Sequence, residues 1–304
     1  MKITLLGTIV KDRIFGIDGT VTESFGGLFY SIEALRAVSA PDDRICPVSF
    51  VGADIYDKVI DYFKDDSRVD LKGFYRIEQP NNHVDLRYND AQERIEFSLD
   101  PMPPLTYGQI ASFLDADLLL VNLISGWDIE LPDLQKIAND FRGVLSMDLH
   151  SLTLAREPDG RRVRHKLKNF DDWLAVPDIL QLNKKEFESI CHSGLTVFYK
   201  KYCFDQNKIV NLTLGKRGSI SVYREKNEIV KISTPPADVK VIDPTGCGDV
   251  FLSAFAYEYY RSKNIIVAAK FANLVAGIAG SRKGLPDSKW LKTELGKNRN
   301  TQDV

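Results

Sequence analysis

The sequence predicts an α/β fold in which helices flank a doubly wound, mostly parallel β-sheet. Three observations predict it. Short apolar runs recur along the 304 residues, each run is bounded by turn residues, and the segments between runs carry helical spacing. A strand buried on both faces has no reason to alternate in polarity, so continuous apolar runs fit a parallel sheet covered on both sides. Their regular interleaving with amphipathic helices is the pattern of an α/β domain.

The expected strands are Ile3–Leu6, Ile45–Val51, Leu118–Leu123, Val144–Leu149, Ile179–Leu182 and Ile209–Leu214. Helical spacing appears between Gly27 and Ala40, through Tyr30, Ala34, Leu35 and Val38, and again over Leu131–Phe141. Two segments depart from this pattern. Arg13–Phe25 alternates and holds an Asp18-Gly19 turn signal. Within Leu71–Leu99, Val84, Leu86 and Tyr88 alternate up to the polar turn Asn89–Glu93, and Ile95 and Phe97 continue beyond it. Alternation about a polar turn is hairpin chemistry. These segments, about 13–25 and 71–99, are expected to form a small antiparallel sheet that closes over a ligand, pairs with a second copy, or does both. The remainder of 1–288 is read as one domain, and 289–304 as a polar C-terminal tail.

Composition narrows the function classes. Forty basic against 42 acidic residues leave a formal charge of −2, which offers no electrostatic footprint for nucleic acid or an anionic membrane. No apolar run approaches the roughly 18–20 residues that span a bilayer. Cys46, Cys191, Cys203 and Cys247 lack metal-ligand spacing, and a cytoplasmic, reduced protein is expected.

The chemistry concentrates in Val241-Ile242-Asp243-Pro244-Thr245-Gly246-Cys247-Gly248-Asp249, ahead of the apolar helical stretch Val250–Tyr257. A glycine turn opening a helix offers unpaired N–H groups and a positive dipole end to an anion. A carboxylate beside such a hole can take a proton from an attacking hydroxyl. Dipole complementarity alone would also account for Asp249. The full string resembles the D-T-G-A-G-D signature of ribokinase-like (PfkB) carbohydrate and nucleoside kinases, with Cys247 in place of Ala. The resemblance implies that Gly246, Cys247 and Gly248 form the anion hole and that Asp249 is the catalytic base.

Other segments resemble the same family in the same order. Gly7–Asp12 resembles its first strand and substrate-binding acid, Asp12. Gly26-Gly27-Leu28-Phe29-Tyr30-Ser31 resembles its di-glycine turn, with Ser31 where Asn is usual. Val51-Gly52-Ala53-Asp54 resembles its V-G-x-D. Asn183-Lys184-Lys185-Glu186 reads as a helix capping box and also resembles the N-x-x-E motif that holds Mg²⁺ and the ATP phosphates through water. Thr213-Leu214-Gly215-Lys216-Arg217-Gly218 resembles the nucleotide-binding turn, and Asn273 and Gly284 lie where the family contacts adenine.

The resemblance therefore implies a ribokinase-like fold with a β-lid and transfer of the γ-phosphoryl of ATP, with Mg²⁺, to a sugar-like hydroxyl. Asp12, Gly26, Gly27 and Ser31 would face the acceptor. Asn183, Glu186, Thr213, Gly215, Gly218, Asn273 and Gly284 would face ATP. Asp243 and Thr245 would bind a monovalent cation such as K⁺, and a homodimer through the lid is expected. The alternatives are a nucleoside kinase, with Phe29, Tyr30 or Tyr88 stacking on a base, and a non-catalytic metabolite-binding relative. The absence of G-x-x-x-x-G-K-S/T argues against a P-loop enzyme.

Two departures concern the acceptor. Val121–Gly126 lacks the Glu usual in ribokinases. Arg156–Lys166 is unusually basic, which reads either as a solvated surface or as a place where an arginine such as Arg161 or Arg162 recognises a substrate carboxylate or phosphate.

Overall fold

The computed structural model describes residues 1–15, 19–88 and 94–299. Nine strands make the main sheet: β1 (Lys2–Leu6), β4 (Arg44–Gly52), β5 (Phe74–Ile77), β8 (Leu118–Asn122), β9 (Val144–Asp148), β12 (Ile179–Asn183), β13 (Ile209–Thr213), β14 (Ser219–Glu225) and β15 (Glu228–Thr234). Their spatial order is β15-β14-β13-β12-β9-β8-β1-β4-β5. Pairing is parallel from β5 across to β13 and antiparallel through β14 and β15. All six apolar runs are strands of this sheet. β8 is buried at every position, as a central strand covered on both faces must be.

A second sheet has the order β3-β2-β6-β7, from β2 (Ile9–Phe15), β3 (Val21–Gly27), β6 (His83–Tyr88) and β7 (Arg94–Leu99). This is the expected lid, with three corrections. It begins at Ile9, so Asp12, Gly26 and Gly27 are lid residues. It is mixed, because β2 and β6 pair in parallel. Residues 71–77 are not part of it: a short 3-10 turn at Leu71–Gly73 leads into β5, which pairs with β4 at the edge of the main sheet. Alternation reports a half-buried strand and does not say which sheet buries it. The expected turns at Asp18-Gly19 and Asn89–Glu93 lie wholly or partly outside the described residues.

The basic stretch folds as a hairpin of β10 (Leu154–Arg156) and β11 (Arg162–Arg164). It docks on the lid, where Ser98 N–H donates to Gly160 O at 2.8 Å and Arg156 Nε to Ser98 O at 2.7 Å. The C-terminal segment read as a tail is instead a helix, Ser288–Arg299, with Leu291 and Leu295 buried. It packs on the helix Leu28–Val38, and Ser288 N–H donates to the buried Glu33 carboxylate at 2.5 Å. Two apolar residues at i and i+4 suffice to dock one face although the rest is polar.

The helix Cys247–Ser262 is the centre of the molecule: every residue from Asp249 to Tyr257 is buried. A helix apolar on all sides belongs inside a protein. Its first turn is thereby fixed against the sheet. No helix among the described residues is long and apolar enough to cross a membrane.

Candidate active site

Four strands end in polar residues on one edge of the parallel sheet: Asn122 on β8, Asp148 on β9, Asn183 on β12 and Thr213 on β13. Register places Asn122 opposite Asp148, Asp148 opposite Gln181, and Asn183 opposite Thr213. The carboxyl ends of such strands are where open α/β sheets bind ligands. The central helix starts over this edge. Gln181 Nε2 donates to both Asp148 Oδ2 (2.6 Å) and Gly248 O (2.9 Å), clamping the first helical turn to the strands.

Gly246 caps the helix with φ 73°, a conformation that costs a side-chain-bearing residue. A Cβ there would also overlap the Tyr30 ring. Within the turn, Thr245 N–H donates to Asp243 Oδ1 and Cys247 N–H to Pro244 O. The Cys247 amide expected in the anion hole is therefore engaged in this structure. Gly246 and Gly248 N–H have no protein acceptor among the described residues. The Cys247 thiol is turned toward Ala276 O at 3.4 Å, away from any nucleophilic role, and burial pushes it up to about 12.

Asp249 is the third helical residue and 7% exposed. Burial raises its carboxyl above the usual range, against the lowering influence of His150 and of the hydrogen bond from Asn122. Asn122 Nδ2 is shared between Asp249 Oδ1 (2.9 Å) and Ser31 Oγ (3.0 Å). Burial, with the nearby Glu186 charge, pushes Asp148 up to about 7. His150 is opposed by its own burial, yet the hydrogen bond to Glu186 and the charges of Asp148 and Asp249 hold it at about 10. One imidazolium thus faces three carboxylates.

Among the residues expected to face an acceptor, Asp12 on β2 fills the space over Gly26, where any Cβ would collide with its carboxylate. Gly27 has φ 60°, and a Cβ there would meet Thr8 O. Ser31 is fully buried and spent on Asn122 and Asp249 O, so in this structure it braces the Asp249 turn rather than facing open space. Tyr30 lies between the two halves. Burial raises its hydroxyl well above the ordinary tyrosine value, with the charges of Asp12, Asp243 and Asp249 adding to it.

Among the residues expected to face ATP, Asn183 and Glu186 form the capping box: Glu186 N–H donates to Asn183 Oδ1, Asn183 N–H donates to Glu186 Oε2, and Asn183 Nδ2 donates to Glu186 Oε1. Gly215 (φ 58°) and Gly218 (φ 80°) shape the turn after Thr213. Asn273 is buried and donates to Ser219 Oγ, Thr234 O and Pro235 O, so its amide here braces β14 and β15. Gly284 N–H donates to Asp243 Oδ2. Asp243 therefore closes two turns with its two oxygens. Of the aromatic residues considered for base stacking, Phe29 is stacked on Phe25 inside the core and Tyr30 covers Gly246. The side chain of Tyr88 lies outside the described residues.

Asn122, Gln181 and His150 were not singled out as site residues from sequence, and Tyr30 only as a candidate for stacking on a base. Asn122 and Gln181 carried a signal, a polar residue at or near the end of an apolar strand run. Both have a buried amide oxygen, Oδ1 and Oε1, without a donor among the described residues.

Comparison with known proteins agrees with this architecture. Residues 151–291 match the model of the pfkB family carbohydrate kinases. An uncharacterized sugar kinase of Archaeoglobus fulgidus is 35% identical over 111 residues, 35% of this chain and 42% of that protein. A nucleoside kinase of Methanocaldococcus jannaschii is 32% identical over 127 residues, 40% of each chain. The chain thus spans about two-fifths of the length of the curated relatives it matches. Among solved structures, a pyrophosphate-dependent kinase in the ribokinase family, complexed with a pyrophosphate analog and myo-inositol, superposes with TM-score 0.78 at 17% identity, covering 95% of this chain and 99% of that one. Residues 151–291 thus resemble the pfkB family of carbohydrate kinases, and the fold of the chain is that of ribokinase-family structures.

Proposed function

We propose that the chain transfers the γ-phosphoryl group of ATP to a hydroxyl of a sugar or sugar-like acceptor. The observation that carries this reading is the buried Asp249 carboxylate, held by Asn122 beside the Gly246–Gly248 turn at the start of the central helix. Asp249 accepts the proton of the attacking hydroxyl. The N–H groups of Gly246 and Gly248, at the positive end of the helix, bear the charge that spreads over the equatorial phosphoryl oxygens. Asp12 orients the acceptor from the lid, and lid closure keeps water from competing as nucleophile.

Among the described residues, no three ligating side chains gather closely enough to hold a metal directly. Asp148, Glu186 and Asn183 instead supply oxygen acceptors suited to the water shell of Mg²⁺, which sheds its waters reluctantly. These residues would hold the hydrated ion, which would supply positive charge against that of the ATP phosphates. A monovalent cation beside Asp243 and Thr245 remains part of the proposal, checked by potassium dependence of the rate.

A sugar is favoured over a nucleoside because Phe29 and Tyr30, two of the three stacking candidates, are consumed by internal packing. The test is ADP release from ATP over a panel of sugars, polyols, sugar acids and nucleosides. Acceptor-dependent turnover is expected in the wild type. In Asp249→Asn it should fall by about 10²–10⁴-fold with unchanged melting temperature. Near-wild-type turnover in that variant sinks the assignment. Binding without turnover in the wild type points to a metabolite sensor.

A further inference from the structure

Arg162 sits in an unusual setting for a charge. It is 8% exposed and, among the described residues, its hydrogen bonds run to backbone carbonyls: Nη1 to Ser125 O at 2.6 Å, and Nη2 to Leu154 O at 3.1 Å and Ser151 O at 3.4 Å. Its guanidinium lies 4.8 Å from the Trp127 ring centroid. It forms no ion pair with a carboxylate among the described residues. Asp128, on the same loop as Trp127, is spent on Thr8 Oγ1 and on the N–H groups of Ser125 and Gly126. Burial opposes its charged form, while the charges of Glu96 and Asp128 reach it, Glu96 the more strongly.

Three donors in this one place have no partner. They are Arg162 Nε, Trp127 Nε1 and Ser151 Oγ, and all three atoms are buried. Buried polar groups are almost always satisfied, so three unpartnered donors at a guanidinium that touches no carboxylate call for an acceptor, and an anionic one suits them best. The position suits the acceptor substrate. Ser125 follows Asn122 by three residues, and Ser151 N–H donates to Leu123 O, so the cluster lies next to the sheet edge that ends in Asn122, the residue that bonds Asp249 of the central helix. The hairpin carrying Arg162 is docked on lid strand β7 through Ser98.

We propose that Arg162, Trp127 and Ser151 form a subsite for an anionic group, a carboxylate or a phosphate, borne by the phosphoryl acceptor. This rests on the kinase reading above and narrows its acceptor to sugar acids or sugar phosphates. Arg162 binds the anion through Nε and charge while its remaining nitrogens hold the two loops. Arg161, by contrast, is exposed, so the basic stretch is largely solvated surface with one residue turned inward.

The test uses calorimetric binding to the intact protein with matched pairs: gluconate against glucitol, glycerate against glycerol, and glucose 6-phosphate against glucose. At least one acid should bind well above its neutral partner, and the pair that does so tells carboxylate from phosphate. Trp127→Phe keeps an aromatic ring under Arg162 and removes only the N–H, and Ser151→Ala removes only the hydroxyl. Each should weaken the acid roughly tenfold or more and leave the neutral partner unchanged, at wild-type melting temperature. If no acid binds better than its neutral partner, or if both members of a pair weaken equally, the proposal is overturned. Asp249→Asn should bind the acid as wild type does. Acid binding without phosphoryl transfer in the wild type would sink the kinase reading and leave the subsite standing, and turnover of neutral acceptors with no acid preference would do the reverse.

Discussion

Asn122 Nδ2 lies 2.9 Å from Asp249 Oδ1, across 127 residues of chain. The bond favours the charged carboxylate, opposing the burial that raises its pKa. A base whose folded pKa is raised is active above that pKa and is lost as pH falls through it, at a pH above the ordinary carboxylate range. Removing the Asn122 amide withdraws a lowering influence, so the acid limb should move to still higher pH. In Asn122→Ala, the pH profile of kcat/KM is expected to shift in that direction, with the largest deficit on the acid side. An unmoved limb would separate Asn122 from the base.

The two glycines of the turn should fail differently. A Cβ on Gly248 meets nothing nearer than Asp148 Oδ2 at 3.8 Å, and that residue has no positive φ. Gly248→Ala is therefore expected to melt like the wild type. If a phosphoryl oxygen approaches this backbone, kcat should nonetheless drop by about 10²–10³-fold. Gly246→Ala must overlap Tyr30 at a strained φ, and should lose about 1–3 kcal/mol of stability as well. Thermal melts paired with turnover distinguish the cases. A Gly248→Ala enzyme of normal rate would remove that backbone from the anion hole.

What could be read from sequence follows the reach of the interactions. The Gly246–Asp249 turn and the Asn183–Glu186 box are local, because a helix start satisfies its own orphan N–H groups within a few residues. Asn122, Gln181 and Tyr30 acquire their roles only when the strand order sets β8, β9 and β12 beside the start of the central helix, and one chain carries no record of that order. Residues 71–77 fall outside the small sheet because the alternation that predicts it runs only from Val84 to Phe97, and which sheet edge takes the short strand Phe74–Ile77 is not written locally. Arg161 and Arg162 are equivalent candidates in the sequence, and only burial separates them.

The C-terminal helix is expected to stabilise the domain rather than decorate it. Leu291 is fully buried and Leu295 nearly so. Deleting such a side chain leaves a cavity as well as losing transfer energy, so Leu291→Ala should cost about 2–5 kcal/mol. Urea unfolding monitored at fixed pH measures it through the midpoint at constant slope. A loss below about 0.5 kcal/mol would return this segment to the status of a tail.

Asp66 supplies a pH-dependent term outside the site. The hydrogen bonds from Arg68 and Arg36 outweigh its partial burial and hold its carboxyl well below the usual range; Arg68 Nη2 is at 2.9 Å and Arg36 Nε at 2.9 Å. Arg36 in turn bonds Glu33, whose other oxygen receives Ser288 N–H. This network joins the helix Leu28–Val38 to the loop before β5 and to the C-terminal helix. A carboxyl with a depressed folded pKa contributes stability that is present above its unfolded value, near 4, and is lost as pH falls through the folded one. Asp66→Asn should therefore lower the melting temperature at neutral pH, and its deficit should shrink as the pH is taken below 4, where the wild type loses the same contribution. A deficit constant from pH 7 to pH 3 would show that packing, not charge, is what Asp66 supplies.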